Sequence, residues 1–251
     1  MRIALVQQDI VWADPAANRA RLDALLAGPV DLCLLPEMFS TGFVTEPSGV
    51  AEQSPSPTLG WMKAVAAKKN CAVAGSVAVQ EEGSFFNRFY FVKPDGSEVH
   101  YDKRHLFTFG GEHRTFTAGT DRCIVEWRGV RFLLLVCYDL RFPVWARNRG
   151  DYDAILYVAS WPAVRRGAWD TLLRARAIEN QCYVAAVTRT GRDPSNEYNG
   201  GSVMIDPYGS TIAACPDGLE CIVNGELDME VLQGYRSRFP VLSDSDNFEL
   251  K

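Results

Sequence analysis

Three places in the chain join a strongly apolar run directly to a polar side chain able to do chemistry: Leu34-Leu35-Pro36-Glu37, Leu133-Leu134-Leu135-Val136-Cys137 and, more weakly, Val158-Ala159-Ser160-Trp161. The runs read as buried strands, and the carboxyl ends of strands are where α/β proteins assemble their sites. A carboxylate at the end of a buried strand is desolvated, which disfavours its charged form, so Glu37 requires a cation or hydrogen-bond donors beside it. From its position alone it reads first as the N-cap or first-turn acid of a following helix. Most buried cysteines are inert small hydrophobes. Cys137, however, runs into Tyr138-Asp139-Leu140-Arg141-Phe142-Pro143, which crowds a tyrosine, two opposite charges and a proline onto a strand end. Lys103 lies in Tyr101-Asp102-Lys103-Arg104-His105-Leu106-Phe107, just before the glycine-rich Phe109-Gly110-Gly111-Glu112-His113. Taken singly it reads as a solvated loop cation, since lysine is rarely buried unpaired. His105 and His113 are not placed by spacing against Cys137, which leaves a Cys-His dyad the weaker arrangement.

The elements that must position these residues alternate along the whole chain. Ile3 to Val6 predicts a buried strand, Asn18 to Leu26 an amphipathic helix and Leu32 to Leu35 a second strand closed by Pro36, together a β-α-β unit. Thr58 is expected to cap a helix with Leu59, Met62, Val65 and Ala66 on its apolar face, ending near Asn70, before a strand from Cys71 to Val79. Phe86 to Val92 and Glu98 to Tyr101 flank Pro94-Asp95-Gly96, in which proline presets φ and glycine accepts positive φ, so a hairpin is expected and the sheet is mixed. A second hairpin, Cys123 to Trp127 and Val130 to Val136, leads through the segment Val144 to Arg149 to a strand (Ala154 to Ala159), a helix (Trp169 to Asn180) and a strand (Cys182 to Val187). Ser202 to Ile205 and Thr211 to Ala214 surround Asp206-Pro207-Tyr208-Gly209, and Glu220 to Val223 and Asp228 to Gly234 supply the last strand and helix. The pattern is α/β, with two sheets covered by helices in one domain over residues 1–251 and no linker to divide it.

Composition bounds the chemistry. A chain of 251 residues with 47% hydrophobic and 23% charged residues builds a large core and is neither disordered nor fibrous. A net charge of −5 argues against a surface that tracks phosphates, so no nucleic-acid partner is expected. The apolar run at the N-terminus is too short for a signal-peptide core, and no stretch approaches a membrane span of roughly 20 residues, so a soluble protein is expected. Seven cysteines without a Cys-x-x-Cys pair fit reduced thiols and a cytoplasmic location. Three histidines, none spaced four apart, give no metal-ligand pattern, and no metal or other cofactor is expected. A thiol redox protein would want a resolving cysteine close in sequence, which Cys137 lacks.

Leu35-Pro36-Glu37-Met38-Phe39, Tyr101-Asp102-Lys103-Arg104-His105-Leu106-Phe107 and Cys137-Tyr138-Asp139-Leu140-Arg141-Phe142-Pro143 resemble, in order and spacing, the three signature segments of the nitrilase superfamily of carbon-nitrogen hydrolases. The resemblance covers nearly the whole chain. It implies a four-layer α-β-β-α sandwich with two mixed sheets and a Glu-Lys-Cys triad, here Glu37, Lys103 and Cys137. A supporting glutamate of the family matches Glu112, and Arg174 to Gln181 resembles a structural helix-to-strand passage. The implied chemistry is amide hydrolysis through a cysteine thioester. Glu37 takes the thiol proton, while Lys103 and the backbone N–H of Tyr138 stabilise the oxyanion. Glu37 and Lys103 together are expected to shift the sulfur toward thiolate. Pro36 to Phe43 and the stretch from Tyr101 to Glu112 are most similar to the omega-amidase branch, whose substrates are 2-oxoglutaramate and 2-oxosuccinamate. Other amidohydrolases with the same triad, acting on N-carbamoyl amino acids, nitriles or 2-oxo amides of methionine salvage, are the alternatives, ahead of a non-catalytic scaffold. The substrate carboxylate calls for a cation among Arg141, Arg165, Arg166, Arg189 and Arg192. Arg141 is read first as pairing with a neighbouring acid to fix the nucleophile loop, with substrate contact as its second role; Phe43, Tyr138 and Trp161 are candidates for the pocket wall. Family members usually associate through one face, so a homodimer is expected.

Overall fold

Strand β1 (Arg2–Gln7) is buried on both sides, with Ile3 and Leu5 in one core and Ala4 and Val6 in another, the mark of a strand covered on each face. The computed structural model describes residues 1–26, 28–54, 56–246 and 248–249; the expected domain over 1–251 therefore includes five residues, 27, 55, 247, 250 and 251, outside the described set. After β1 come α1 (Pro15–Leu25), β2 (Leu32–Leu34), β3 (Glu52–Gln53), α2 (Pro57–Lys69), β4 (Ala72–Glu81), β5 (Ser84–Val92) and β6 (Glu98–Asp102). The second half holds β7 (Ile124–Trp127), β8 (Val130–Val136), α3 (Pro143–Ala146), β9 (Ala154–Ala159), α4 (Arg166–Glu179) and β10 (Tyr183–Thr188). It ends with β11 (Thr190–Arg192), β12 (Glu197–Asn199), β13 (Val203–Ile205), β14 (Thr211–Ala214), β15 (Cys221–Glu226) and α5 (Met229–Arg238).

One sheet runs β15-β1-β2-β4-β5-β6 with β3 beside β4, and the other β14-β13-β10-β9-β8-β7. Each has three parallel strands at its centre, β1, β2 and β4 in the first and β8, β9 and β10 in the second; the strands outside them are antiparallel except the two-residue β3, which is parallel to β4. Leu22 of α1 and Leu59, Met62, Val65 and Ala66 of α2 cover the outer side of the first sheet. Helix α4 packs on β10 and β13, and the sheets meet where Phe91 stacks on Phe132. This is the expected four-layer α-β-β-α sandwich with two mixed sheets. Side chains alternate along β5 so that Asn87, Phe89 and Phe91 share one face, and Phe89 and Phe91 lie in the core between the sheets. Among the described residues no helix is long and apolar enough to cross a membrane.

Local chemistry moved some boundaries. Thr58 does not cap α2: with Pro57 at the first helical position, the Ser56 hydroxyl accepts from the Leu59 N–H (3.0 Å), and Thr58 instead bonds Glu52 through its N–H (2.8 Å) and hydroxyl (2.6 Å). Helix α4 starts at Arg166, three residues before the expected Trp169, and α5 continues through Arg238 rather than stopping at Gly234. Of Val144 to Arg149 only the part up to Ala146 is helical. The pairs β3 and β11–β12 were not foreseen, because each is two or three residues long and mostly polar.

Candidate active site

The site forms at one end of the interface between the sheets. Glu37 follows β2, Lys103 follows β6 beside Asn87 of β5, Cys137 follows β8 and Ser160 follows β9. Lys103 N donates to Asn87 O (3.0 Å), which extends the β5–β6 register and brings the lysine beside Asn87. Neither bland reading survives: Glu37 is no helix cap and Lys103 no solvated cation, for both side chains are 0% exposed and in contact at 2.9 Å. Lys103 Nζ also meets Glu112 Oε1 (3.1 Å) and Oε2 (2.9 Å), and it lies 5.2 Å from the Phe43 ring centroid. Glu112 is fixed from its own turn by the Phe107 N–H (2.6 Å to Oε2). Glu37 Oε2 accepts the Ser160 N–H (2.8 Å), and the Ser160 hydroxyl donates to the Glu37 carbonyl (3.2 Å). The weakest of the three apolar-to-polar junctions thus supplies a support for Glu37.

Cys137 opens a short 3-10 helix, Cys137–Arg141, in the left-handed region at φ +46°. That conformation costs of order 1–3 kcal/mol in a non-glycine residue and persists only where the surroundings enforce it. Asp139 does so. Its carboxylate accepts from Val136 N (2.9 Å), the Tyr101 hydroxyl (2.8 Å) and His105 N (3.0 Å), and it lies 2.8 Å from His105 Nδ1. Arg141 is therefore not the partner of a neighbouring acid: Asp139 is occupied by neutral donors and the histidine, and the guanidinium instead lies over the Trp161 ring (5.2 Å). Arg176, inside the segment read as a structural passage, ties α4 to the same turn through Leu140 O (2.6 Å).

Two carboxylates share one ammonium here, and the titration follows that balance. Burial works against the Lys103 charge, but Glu112 and Glu37 outweigh it and hold the amine above its ordinary range. Burial raises Glu112, partly offset by Lys103. The Cys137 thiol is pushed well above its usual value by burial first and by the charge of Glu37 second, with Lys103 opposing them. The balance thus runs against the expected shift toward thiolate: one cation does not outweigh burial and two anions.

Cys137 lines a cavity of about 470 Å³ together with Phe43, Tyr138, Trp161, Arg141 and Arg165. The five arginine candidates separate there. Arg166 is held by Asp170 (2.7 Å) and Asp217 (2.9 Å), Arg192 by Glu197, and Arg189 is buried against the carbonyls of Ile10 (3.0 Å) and Arg192 (2.9 Å). Arg141 and Arg165 line the cavity, stack on aromatic rings and have no carboxylate partner among the described residues. All seven cysteines are free, and the described residues contain no cluster of three or more histidine, cysteine or acidic side chains that would hold a metal. Asn87 and Trp12 at the site were not anticipated. The signal for Asn87 was the polar break in Phe85-Phe86-Asn87-Arg88-Phe89, whereas nothing local marks Trp12.

Comparison with known proteins bears on the family. The carbon-nitrogen hydrolase family model matches residues 2–237. The chain is 47% identical to omega-amidase YafV of Escherichia coli K12, covering 100% of this chain and 98% of that protein. It is 36% identical to the 2-oxoglutaramate amidase of Bacillus subtilis, over 96% of each. The crystal structure of XC1258 from Xanthomonas campestris, a CN-hydrolase superfamily protein with an arsenic adduct in its active site, superposes with a TM-score of 0.97 at 46% identity, covering 100% of this chain and 99% of that one.

Proposed function

The chain belongs to the carbon-nitrogen hydrolase family, and on that premise we propose that it hydrolyses the terminal amide of small 2-oxo acid amides, 2-oxoglutaramate and 2-oxosuccinamate, to the dicarboxylate and ammonia. The observation that carries the reading is a thiol backed by two carboxylates and an ammonium, at the wall of a cavity that also holds two unpaired guanidinium groups. Glu37 accepts the Cys137 proton as sulfur attacks the amide carbon. The tetrahedral oxyanion meets the Tyr138 N–H and Lys103 Nζ, which frees a donor when Glu112 moves from two oxygens to one. Glu37 returns the proton to the departing nitrogen, so ammonia leaves and the acyl group stays on sulfur. It then deprotonates the water that cleaves the thioester, and the proton passes back to Cys137. Arg141 and Arg165 receive the substrate carboxylate, with Phe43 and Trp161 enclosing its carbon chain.

The test is ammonia release from a panel of 2-oxo amides, N-carbamoyl amino acids and nitriles, with mass spectrometry of a cold-quenched reaction seeking an acyl adduct on Cys137. Turnover of the 2-oxo amides with that adduct is expected; turnover confined to the other classes overturns the substrate assignment. The same reading includes a homodimer, supported by an exposed apolar group from α4, the β13–β14 turn and the residue after α5: Ile178, Tyr208 and Phe239, with the Tyr208 ring tilted against Tyr235 at 4.1 Å. Light scattering giving a monomer mass would remove that part.

A further inference from the structure

A carboxylate offers about four lone-pair positions. On Glu37, Oε1 accepts from Lys103 Nζ (2.9 Å) and Asn87 Nδ2 (2.8 Å), and Oε2 accepts from Ser160 N (2.8 Å). Among the described residues that leaves one position, on Oε2, and the Cys137 sulfur lies near enough for the Glu37 charge to act on it. We propose that Asn87 is a positioning residue: by donating to Oε1 beside Lys103 it holds the Glu37 carboxylate in the rotation that leaves Oε2 with an open position. The proposal rests on the amide-hydrolysis reading above.

Asn87 Nδ2 also donates to Glu112 Oε1 (3.2 Å), so one amide bridges both carboxylates that share the ammonium. Its carbonyl end is left bare. Asn87 Oδ1 is buried without a hydrogen-bond partner among the described residues, an arrangement that costs stability. Turning the amide over would aim that oxygen at two carboxylates. A residue serving packing alone has no need of an amide here, so it is the N–H pair that the site retains. Charged and titratable groups face Glu37 from every neighbouring element: Lys103 beyond β6, Glu112 from its 3-10 turn, Cys137 beyond β8 and Tyr198 of β12. Neither Lys103 nor the Ser160 N–H contacts the Oε1 lone pair that Asn87 fills, and its loss is not made good by either.

The experiment compares wild type with Asn87→Ala and with Asn87→Asp, which keeps nearly the same shape, and reads two pH profiles. One is the rate of Cys137 alkylation by iodoacetamide, followed by mass spectrometry; the other is kcat/KM for 2-oxoglutaramate. Removing the donor leaves the Glu37 carboxylate with one hydrogen bond fewer beside Cys137. The acid limb of both profiles is expected to rise by about one pH unit in Asn87→Ala, the size of a lost hydrogen bond to a charged group, and further in Asn87→Asp. The loss falls on kcat rather than KM. An equal loss at every pH with the limb unmoved, or a wild-type profile, overturns the proposal. Should Asn87→Ala not fold, Asn87→Asp decides alone. Alkylation needs no substrate, so absence of 2-oxoglutaramate turnover in wild type would remove the substrate reading and still leave the role of Asn87 to be judged.

Discussion

Strand β9 starts beside one partly buried ion cluster and ends beside a fully buried one, and their proportions are opposite. At its amino end, Asp153 takes Arg131 of β8 through Nη2 (2.8 Å) and Nε (3.0 Å), Arg236 of α5 through Nη1 (2.9 Å) and the Arg131 N–H (3.1 Å). One carboxylate has two cations, and both its oxygens are filled. At the carboxyl end, Ser160 donates to Glu37, which among the described residues shares with Glu112 the single cation Lys103, and one Oε2 lone pair stays open. The titration directions follow: burial would raise Asp153, but Arg131 and Arg236 outweigh it and hold it below the usual carboxylate range, whereas the Cys137 thiol is pushed well up. An excess of cations turns a carboxylate into a staple between elements. An excess of anions keeps it a proton acceptor, which a general base requires.

Two substitutions break the comparison at its ends. Cys137→Ala removes the nucleophile and is expected to lower kcat by about 10⁴–10⁶-fold while the melting temperature holds, checked by ammonia release and a thermal melt. Substantial residual turnover would end the thioester mechanism. Asp153→Ala acts the other way. It strands two guanidinium groups and is expected to cost about 2–4 kcal/mol in urea unfolding, less than the roughly 3–5 of a fully buried pair because the Arg131 side chain is 38% exposed. The kcat of the folded fraction should not change, and a large fall in it would show that the two ends of β9 are coupled.

The residues of the catalytic end were more legible than those of the staple, and the reason is spacing. Cys137 stands directly after a strand inside a run of unusual composition and Glu37 closes an apolar run, whereas Lys103 taken singly reads as a loop cation; the three become a triad through the resemblance of their segments to the family's. The strands themselves were also local: β9 falls on Ala154–Ala159 as its apolar run requires. Arg131, Asp153 and Arg236 lie on β8, at the start of β9 and on α5, and no short window contains the three-way contact. Arg141 was misread for the related reason that sequence proximity to Asp139 was taken for contact, whereas Tyr101 and His105, more than thirty residues away, claim that carboxylate. The direction of the thiol shift was likewise out of reach, since it depends on how deeply the sulfur is buried and how near Glu37 lies to it.

The cavity sharpens the comparison at intermediate size, because its cations are neither staple nor base. Arg141→Gln and Arg165→Gln each leave a flat polar side chain in place of an unpaired guanidinium. Each is expected to raise KM for 2-oxoglutaramate by about 10–100-fold, the range of a lost hydrogen bond between charged groups, with a smaller change in kcat. For an uncharged amide of similar length KM should not move. If both substrates suffer equally, the arginines shape the pocket rather than recognise a carboxylate.

The smallest expected effect is on stability against pH, and it should have opposite signs at the two ends of β9. A depressed carboxylate such as Asp153 contributes stability that is present above the unfolded pKa of about 3.9 and is lost as pH falls through its lower folded value. The unfolding free-energy difference between wild type and Asp153→Asn should therefore be flat above about pH 5 and shrink below about pH 4. A raised thiol behaves inversely. Folded Cys137 keeps its proton after the unfolded chain, with a thiol pKa of about 8.5, has released it, so its contribution is present below that value and lost as pH rises. Relative to Cys137→Ala, wild type should lose up to about 1.4 kcal/mol per pH unit above about pH 8.5. The other buried thiols are common to both proteins and cancel in the difference. Urea unfolding from acid to alkaline pH tests both slopes, and a flat alkaline difference would mean that Lys103 outweighs burial and the sulfur is already a thiolate at neutral pH.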